Sequence, residues 1–195
     1  MITEALIIIL AYLLGSIPTA YILGRLVKGI DIRKMGSGNV GTVNAFHSLG
    51  LRSALVIVMA DIGKGMFAIL VAQALGLALP VILLAGAAAV IGHNWPVFLH
   101  FQGGRGSATT LGVLLILIPS ELLITLGAAS IVLFITRKPL VAVVVLFAPL
   151  GPLCYLLGQP SLLSLYALAL PLLVAATTFT RARRWERRQS PRARS

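Results

Sequence analysis

The sequence predicts an all-α polytopic membrane protein, a bundle of seven transmembrane helices. Hydrophobic residues make up 58% of the 195 residues and charged residues only 11%, and the mean hydropathy is +1.00. Those values are typical of membrane proteins and not of soluble domains. Seven apolar stretches follow one another, most of them close to the roughly 20 residues that a helix needs to cross the hydrocarbon core.

The seven predicted spans are the longest apolar runs, taken in chain order. They cover residues 3–24, 53–76, 79–98, 106–119, 121–136, 139–158 and 161–180. The fourth and fifth are short, so a count of five stays open if pairs of helices are tilted or re-entrant. We expect one transmembrane domain over residues 1–180 and a basic cytoplasmic tail over 181–195, which holds 7 of the 16 Lys and Arg residues.

Basic residues outside the spans indicate the orientation. The chain begins MITEALIIIL with no Lys or Arg before Arg25, so we expect a retained first span with its amino end outside. On that orientation every basic connection faces the cytoplasm, and the opposite connections near 77–80, 119–121 and 158–161 contain no Lys or Arg. We therefore expect the inner membrane, a cytoplasmic carboxyl terminus, and lipid contact by the basic tail in place of nucleic-acid binding.

Three polar segments lie on the predicted cytoplasmic side, and the first is GSGNVGTVN at 36–44, followed by His47. Its glycines permit close backbone approach, and successive exposed N–H groups form a concavity that binds anions. Ser37, Asn39 and Asn44 add polar side chains. We expect a substrate-binding loop that dips into the bundle, and the alternative is a solvated linker.

The second polar segment is DIGKG at 61–65, inside an otherwise apolar run. A charge at the bilayer centre costs roughly 2.5–3.5 kcal/mol on insertion scales, so a carboxylate and an ammonium there require an explanation. The i, i+3 spacing places Asp61 and Lys64 on one helix face, where each neutralises the other. Either they form a structural ion pair only, or Asp61 holds Lys64 towards an anionic ligand.

The third polar segment is GHNWPVFLHFQGGRGSATTLG at 92–112. A glycine-rich turn around Arg105 leads into Ser107, Thr109 and Thr110 at a predicted helix start. A fixed cation, flexible backbone and a helix N-terminus together favour phosphate binding. The spacing is not that of a Walker loop. His93 is a candidate ligand contact, and a structural hydrogen-bonding role is the alternative.

These segments together predict a phosphate-bearing ligand that is reached from the cytoplasm. The sequence contains no HExxH motif, no zinc-ligand spacing and no GxSxG elbow, so we expect neither a metal nor a cofactor. A transferase of this kind would act by positioning and charge stabilisation on a pre-activated donor. A small organic-phosphate or anion transporter is the alternative from another class.

Four motifs, GSIPTAYILGR (15–25), GSGNVGTVN, DIGKG and GHNWPVFLHFQGGRGSATTLG, resemble in order and spacing the PlsY family of bacterial acyl-phosphate:glycerol-3-phosphate acyltransferases. The resemblance is close over residues 5 to 115. It implies an inner-membrane enzyme that transfers a fatty acyl group from acyl phosphate to the 1-hydroxyl of glycerol 3-phosphate. The products would be lysophosphatidic acid and phosphate, in the first step of bacterial phospholipid synthesis.

The sequence departs from the family pattern at several positions. Arg105 replaces a Lys, and His47 replaces an Arg. Val43 replaces a Thr, but this sequence has a hydroxyl one position earlier, at Thr42. The family's carboxyl-terminal His and Asn have no counterpart after His100, and Thr180, Arg181 and Glu186 are the candidate replacements. A divergent paralogue with altered or lost activity is therefore a further alternative.

The candidate catalytic residues are Ser37, Asn39, Lys64 and Arg105. The candidate substrate-binding residues are Gly36, Gly38, Gly41, Thr42, Asn44, His47, Asp61, His93, Gly103, Gly104, Gly106 and Thr109. The expected partners are glycerol 3-phosphate, long-chain acyl phosphate and membrane lipids. No nucleic acid and no obligate protein partner are expected.

Overall fold

The computed structural model describes the backbone of residues 1–189 and the side chains of residues 1–181, and every regular element in that part of the chain is helical. This confirms the predicted all-α class. The helices are α1 (Ile2–Ser16), α2 (Thr19–Lys28), α3 (Thr42–Leu49), α4 (Leu51–Ala74), α5 (Leu79–Asn94), α6 (Ser107–Leu117), α7 (Pro119–Thr136), α8 (Pro139–Phe147), α9 (Leu150–Leu156) and α10 (Ser161–Gln189). Two short 3₁₀ turns lie at Ile32–Lys34 and Val97–Leu99.

Six segments among the described residues are long and apolar enough to cross a membrane. They are Ile2–Lys28, Leu51–Ala74, Leu79–Leu99, Pro119–Thr136, Pro139–Leu156 and Ser161–Arg181. The remaining predicted span, 106–119, is the helix α6, which has 11 residues. At 1.5 Å per residue that is about 17 Å, short of the roughly 30 Å hydrocarbon core.

The first predicted span, 3–24, is divided into two helices. Pro18 has no N–H to donate and disfavours helical backbone at the residue before it, so α1 ends and Ile17 adopts an extended conformation (φ −60°, ψ 114°). The Ile17 carbonyl is released from the helical ladder and accepts from Thr19 N–H (3.1 Å). This break places polar backbone beside the charged residues of α4.

Two glycines allow helices α1 and α5 to pack backbone against backbone. A Cβ at Gly15 in α1 would clash with the Ala89 carbonyl of α5, and one at Gly92 in α5 would clash with the Tyr12 carbonyl. Such close approach is typical of small residues between membrane helices. Gly15 and Gly92 therefore permit the close approach of α1 and α5.

The described residues divide into two compact units, one formed by residues 1–113 and 174–189, and the other by residues 114–173. In the first unit, an apolar cluster that includes Ile32, Val40, Leu49 and Ile57 underlies the connection between α2 and α3. In the second unit, the buried Glu121 carboxylate accepts from Ser120 Oγ (2.9 Å) and Gln159 Nε2 (2.8 Å). A single domain over 1–180 stays a prediction, and α10 continues beyond the predicted boundary at 180.

Candidate active site

Residues 36–44, called here the first polar loop, are organised by Asn44. The Asn44 side chain, only 3% exposed, donates from Nδ2 to the carbonyl oxygens of Ile32 (3.1 Å) and Asn39 (2.9 Å). Its Oδ1 accepts from the Ser37 N–H (3.3 Å). The amide therefore sets the shape of the loop through backbone contacts, and a direct contact between Asn44 and substrate stays a prediction.

The glycines of the first polar loop fit this shape. Gly36 and Gly38 have φ values of 50° and 68°, in the left-handed region that favours glycine. A Cβ at Gly36 would also clash with Asn44 Oδ1, and one at Gly41 would lie 2.9 Å from Asn39 Nδ2. The glycines are thus required by the loop's conformation and its internal contacts.

The other candidate residues of this region lie at different depths. Ser37 and His47 are exposed, whereas Thr42 and Asn39 are half-buried. Asn39 Oδ1 is buried and has no hydrogen-bond partner among the described residues. Such an atom is a candidate acceptor for a ligand or a water molecule.

Asp61 and Lys64 lie at the centre of a buried polar network beside the break in the first span. Lys64 Nζ lies 2.9 Å from Asp61 Oδ1 and donates to the Ile17 carbonyl (3.1 Å). Thr19 Oγ1 donates to the same Asp61 oxygen (3.2 Å). The predicted ion pair is present, and Lys64 also gives the Ile17 carbonyl at the helix break a second donor besides the Thr19 N–H.

His93 joins this network to the glycine loop, which we define as residues 103–106. His93 Nδ1 lies 3.6 Å from Asp61 Oδ1, and the His93 carbonyl accepts from Gly104 N–H (3.0 Å). A Cβ at Gly104 would clash with His93 Nε2, and one at Gly103 would clash with the His93 carbonyl. Only glycine allows the loop to pack this closely on the end of α5.

Buried polar side chains without partners surround the point where the glycine loop enters α6. Asn94, Thr109 and Thr110 are each 0% exposed, and neither amide atom of Asn94 nor either hydroxyl has a hydrogen-bond partner among the described residues. Gly106, with φ 85°, packs directly on the Asn94 amide. A buried polar group requires a partner, so this cluster at a helix N-terminus is suited to binding an anion.

Arg105 is exposed at the surface of the glycine loop. Its carbonyl accepts from Thr177 Oγ1 in α10 (3.2 Å). The guanidinium of Arg181, one turn further along α10, donates to the carbonyls of Gly103 and Asn94. The glycine loop is therefore held on one side by α5 and on the other by α10.

A narrow cleft brings several of these elements together. Its lining combines the helix break, the buried ion pair, His93 and two residues of the glycine loop, and it comprises Gly15, Ser16, Ile17, Pro18, Thr19, Ala20, Val40, Asp61, Lys64, His93, Pro96, Gly103 and Gly104. Of the first polar loop, only Val40 belongs to this lining. Ser37, Asn39, His47 and Arg105 lie outside it.

Thr19, Asn94 and Thr177 were not among the predicted site residues. A signal for Thr19 was available, because a proline within an apolar run breaks a helix, and Thr19 begins the next helix beside that break. Asn94 lies inside the motif at 92–112, but its burial depends on the packing of Gly106. Thr177 contacts Arg105 across a separation of 72 residues, and no local pattern predicts such a contact.

A second ionic cluster stabilises the connection before the first polar loop. Arg33 donates to both carboxylate oxygens of Asp31 (3.0 and 2.8 Å), and its guanidinium lies 4.9 Å from the centre of the Tyr21 ring. The hydrogen bond from the Arg33 side chain is the main cause that lowers the pKa of Asp31 to about 2. Arg25 also approaches this carboxylate, with Nη2 3.9 Å from Asp31 Oδ2.

Comparison with known proteins gives a consistent result. Residues 5–189 match a family model described as glycerol-3-phosphate acyltransferase. Glycerol-3-phosphate acyltransferase 4 of Dehalococcoides mccartyi is 41% identical over 179 residues, which cover 92% of this chain and 97% of that protein. Glycerol-3-phosphate acyltransferase of Bacillus velezensis is 48% identical over 133 residues, 68% of each protein.

Solved structures show the same relationship. The crystal structure of PlsY, an integral membrane glycerol 3-phosphate acyltransferase, in its glycerol 3-phosphate form matches with a TM-score of 0.80 and 31% sequence identity, covering 95% of this chain and 91% of that one. The lysophosphatidic acid form of PlsY matches with a TM-score of 0.73 and the same identity and coverage.

Proposed function

Because this chain belongs to the glycerol-3-phosphate acyltransferase family, and is itself a multi-pass membrane acyltransferase, we propose that it uses acyl phosphate as donor and the 1-hydroxyl of glycerol 3-phosphate as acceptor. The products are lysophosphatidic acid and inorganic phosphate. The observation that carries the proposal is the convergence, in one cleft, of the helix break, Lys64, His93 and the glycine loop.

The reaction requires little covalent chemistry from the protein. The 1-hydroxyl oxygen attacks the acyl carbon, the bond between that carbon and the phosphate oxygen breaks, and phosphate leaves with the electron pair. The hydroxyl proton passes to a phosphate oxygen of a substrate. Acyl phosphate is a mixed anhydride with a good leaving group, so orientation and charge stabilisation supply the catalysis.

The glycine loop is the proposed site for the phosphate of the donor. It combines an exposed side chain, Arg105, with the N-terminus of α6 and with the buried groups of Asn94, Thr109 and Thr110, which have no hydrogen-bond partner within the described part of the chain. Backbone N–H groups at a helix N-terminus favour negative charge. The planar guanidinium is suited to bidentate contact with phosphate oxygens.

Lys64 and the first polar loop are the proposed site for glycerol 3-phosphate. The Lys64 ammonium carries three N–H groups, and its contacts with Asp61 and Ile17 use two of them. Lys64 also lines the cleft, which supports a contact between the third N–H and a substrate oxygen. Ser37 and Asn39 of the loop are the proposed catalytic side chains, acting by orientation of the acceptor.

The enzyme is proposed to lie in the inner membrane with its amino end outside and its active site facing the cytoplasm. In that arrangement α6 makes the seventh crossing together with the loops at its ends. The basic connections support this orientation through the positive-inside rule. Acyl phosphate then enters laterally from the bilayer, and glycerol 3-phosphate enters from the cytoplasm.

An assay of purified protein in lipid vesicles with palmitoyl phosphate and glycerol 3-phosphate tests the proposal. We expect lysophosphatidic acid and phosphate in equal amounts. Absence of product from protein with a cooperative thermal unfolding transition would contradict it. Glycerol-3-phosphate flux into vesicles without product would instead support the transporter alternative.

Arg105→Ala is the matching site variant. We expect its activity to fall by about 100- to 1,000-fold, as when one group that stabilises developing charge is lost, with an unchanged unfolding temperature because the side chain is exposed. Arg52→Ala, which removes another exposed guanidinium near the start of α4, is the control and should retain full activity. Equal loss in both variants would assign the effect to overall charge.

A further inference from the structure

Helix α10 contacts the glycine loop through two side chains that lie one helical turn apart. Thr177 and Arg181 have i, i+4 spacing and therefore share a helix face. Thr177, which is 3% exposed, shares its hydroxyl proton between the carbonyls of Arg105 (3.2 Å) and Val174 (2.8 Å). Arg181 contacts the same loop four residues later.

The Arg181 guanidinium connects the end of α5 to the glycine loop. It donates from NH1 to the Gly103 carbonyl and from NH2 to the Asn94 carbonyl. Asn94 is the last residue of α5, where carbonyls lack partners within the helix. A guanidinium has a planar fork of donors that can bind two carbonyls at once, which a lysine ammonium does not reproduce.

These contacts fix which way the peptide groups of the glycine loop face. All described peptide bonds are trans, so the N–H that follows each carbonyl points in the opposite direction. With the Gly103 and Arg105 carbonyls held by α10, the N–H groups of Gly104 and Gly106 point away from that helix. Gly104 N–H binds the His93 carbonyl (3.0 Å). Gly106 N–H lies directly before the first residue of α6 and points away from α10.

We propose that Arg181 and Thr177 are positioning residues that hold the glycine loop in the conformation that binds the phosphate of the acyl donor, an inference that rests on the proposed function. Neither side chain needs to touch the substrate. Both act on carbonyls. Arg181 fixes the peptide whose N–H, that of Gly104, binds the His93 carbonyl, and Thr177 fixes the peptide whose N–H, that of Gly106, is the proposed donor to the ligand.

Kinetics of Arg181→Ala, Arg181→Gln and Arg181→Lys test this role. Two charge-assisted hydrogen bonds are lost in Arg181→Ala, so we expect the KM for palmitoyl phosphate to rise about 10- to 100-fold. The KM for glycerol 3-phosphate should change far less. Arg181→Lys should recover only part of the loss, and added methylguanidinium should lower the KM of Arg181→Ala.

Two further variants complete the design. Arg137→Ala is the matched control, since that guanidinium lies 5.0 Å from the centre of the Phe134 ring and belongs to the other compact unit. It should leave both KM values unchanged and show no response to methylguanidinium. Thr177→Val combined with Arg181→Ala should be non-additive, because both residues act on one loop.

The hydrogen-exchange rate of the peptide containing residues 103–110 measures how firmly the loop is held, and it does not require turnover. Arg181→Ala and Arg181→Gln should exchange faster there than wild type, and Arg137→Ala should not. If wild type forms no product but this difference is found, the proposed function fails and the positioning role stands. If wild type is active and neither exchange nor the donor KM changes, or both KM values rise equally with a lower unfolding temperature, the positioning role is overturned.

Discussion

Asp61 is the residue on which donors from three helices converge. Thr19 of α2 donates to its carboxylate at 3.2 Å, Lys64 of α4 lies 2.9 Å away, and His93 of α5 lies 3.6 Å away. Asp61 is 2% exposed and Lys64 6% exposed. A buried charge is tolerated because each partner lowers the cost of the other, so removing one partner is expected to cost more than removing both.

Lys64→Met tests this coupling. It leaves the Asp61 carboxylate without its nearest cationic partner and removes the donor to Ile17, and we expect the free energy of unfolding to fall by about 3–5 kcal/mol. Lys64→Met combined with Asp61→Asn should lose less than the single lysine variant. Unfolding in lipid–detergent mixtures measures both, and strictly additive effects would show that the two charges do not stabilise each other.

The Asp31–Arg33 pair predicts how the stability of the first polar loop depends on pH. The pKa of Asp31 is lowered from 3.8 to about 2, mainly by the Arg33 side-chain hydrogen bond. A carboxylate whose pKa is lower in the folded state contributes stability that is present above pH 3.8 and is lost as the pH falls towards 2. Asp31→Asn should therefore be less stable than wild type at pH 7.

The same comparison at low pH provides the check. As the pH is lowered from 5 to 2, the difference in unfolding temperature between wild type and Asp31→Asn should shrink to near zero. Glu4→Gln is the control, since Glu4 pairs with the chain's own amino group at 3.3 Å and not with an arginine. A constant difference across this range would mean that Asp31 acts as a neutral hydrogen-bond acceptor.

Helix α4 offers a matched pair of glycines for testing how it packs. A Cβ at Gly65 would clash with the Thr109 carbonyl of α6, whereas one at Gly63 would meet nothing within 4 Å. Gly65→Ala should lower the free energy of unfolding by about 1–3 kcal/mol through overpacking. Gly63→Ala should be neutral or stabilising by up to about 1 kcal/mol, because alanine favours helix.

Thermal unfolding of the two variants measures the difference, and activity adds a second measurement. Thr109 lies two residues after the start of α6, where the phosphate of the donor is proposed to bind. Displacement of that helix in Gly65→Ala should therefore also reduce acyl transfer. Equal stability of Gly63→Ala and Gly65→Ala would contradict the close packing of α4 on α6.

Most helices could be predicted from the sequence because apolar runs have few ways to satisfy their backbone in a bilayer. The breaks within the spans were harder to predict. Predicted span 3–24 is divided at Pro18, and predicted span 139–158 becomes α8 and α9 on either side of Ala148 and Pro149. Proline is a visible signal in both cases, but hydropathy averaged over a span does not register it.

The candidate site could be predicted only in part, for a reason that Asn44 and Arg181 illustrate. A side-chain amide offers the same donors and acceptor to a ligand and to a loop, so the motif at 36–44 could not distinguish the two roles of Asn44. Arg181 reaches Gly103 across 78 residues of chain. Its function depends on tertiary packing, which no local pattern of residues encodes.

The number of crossings determines on which side of the membrane each connection lies. If α6 crosses together with its flanking residues, the two ends of the chain lie on opposite sides. If it does not, every connection after it reverses. The Arg137–Lys138 connection is therefore diagnostic, because the seven-crossing arrangement places it in the cytoplasm and a six-crossing arrangement places it outside.

Cysteine labelling in intact cells measures this directly. Cys154 is buried, and Cys154→Ala provides a background without thiols into which Leu77→Cys or Lys138→Cys is introduced. We expect a membrane-impermeant maleimide to label Leu77→Cys from outside and to label Lys138→Cys only after the cells are opened. Labelling of both in intact cells would show six crossings. The glycine loop and α6 would then have to form a re-entrant element on the cytoplasmic side, because non-helical backbone is tolerated at membrane depth only where protein or water satisfies it.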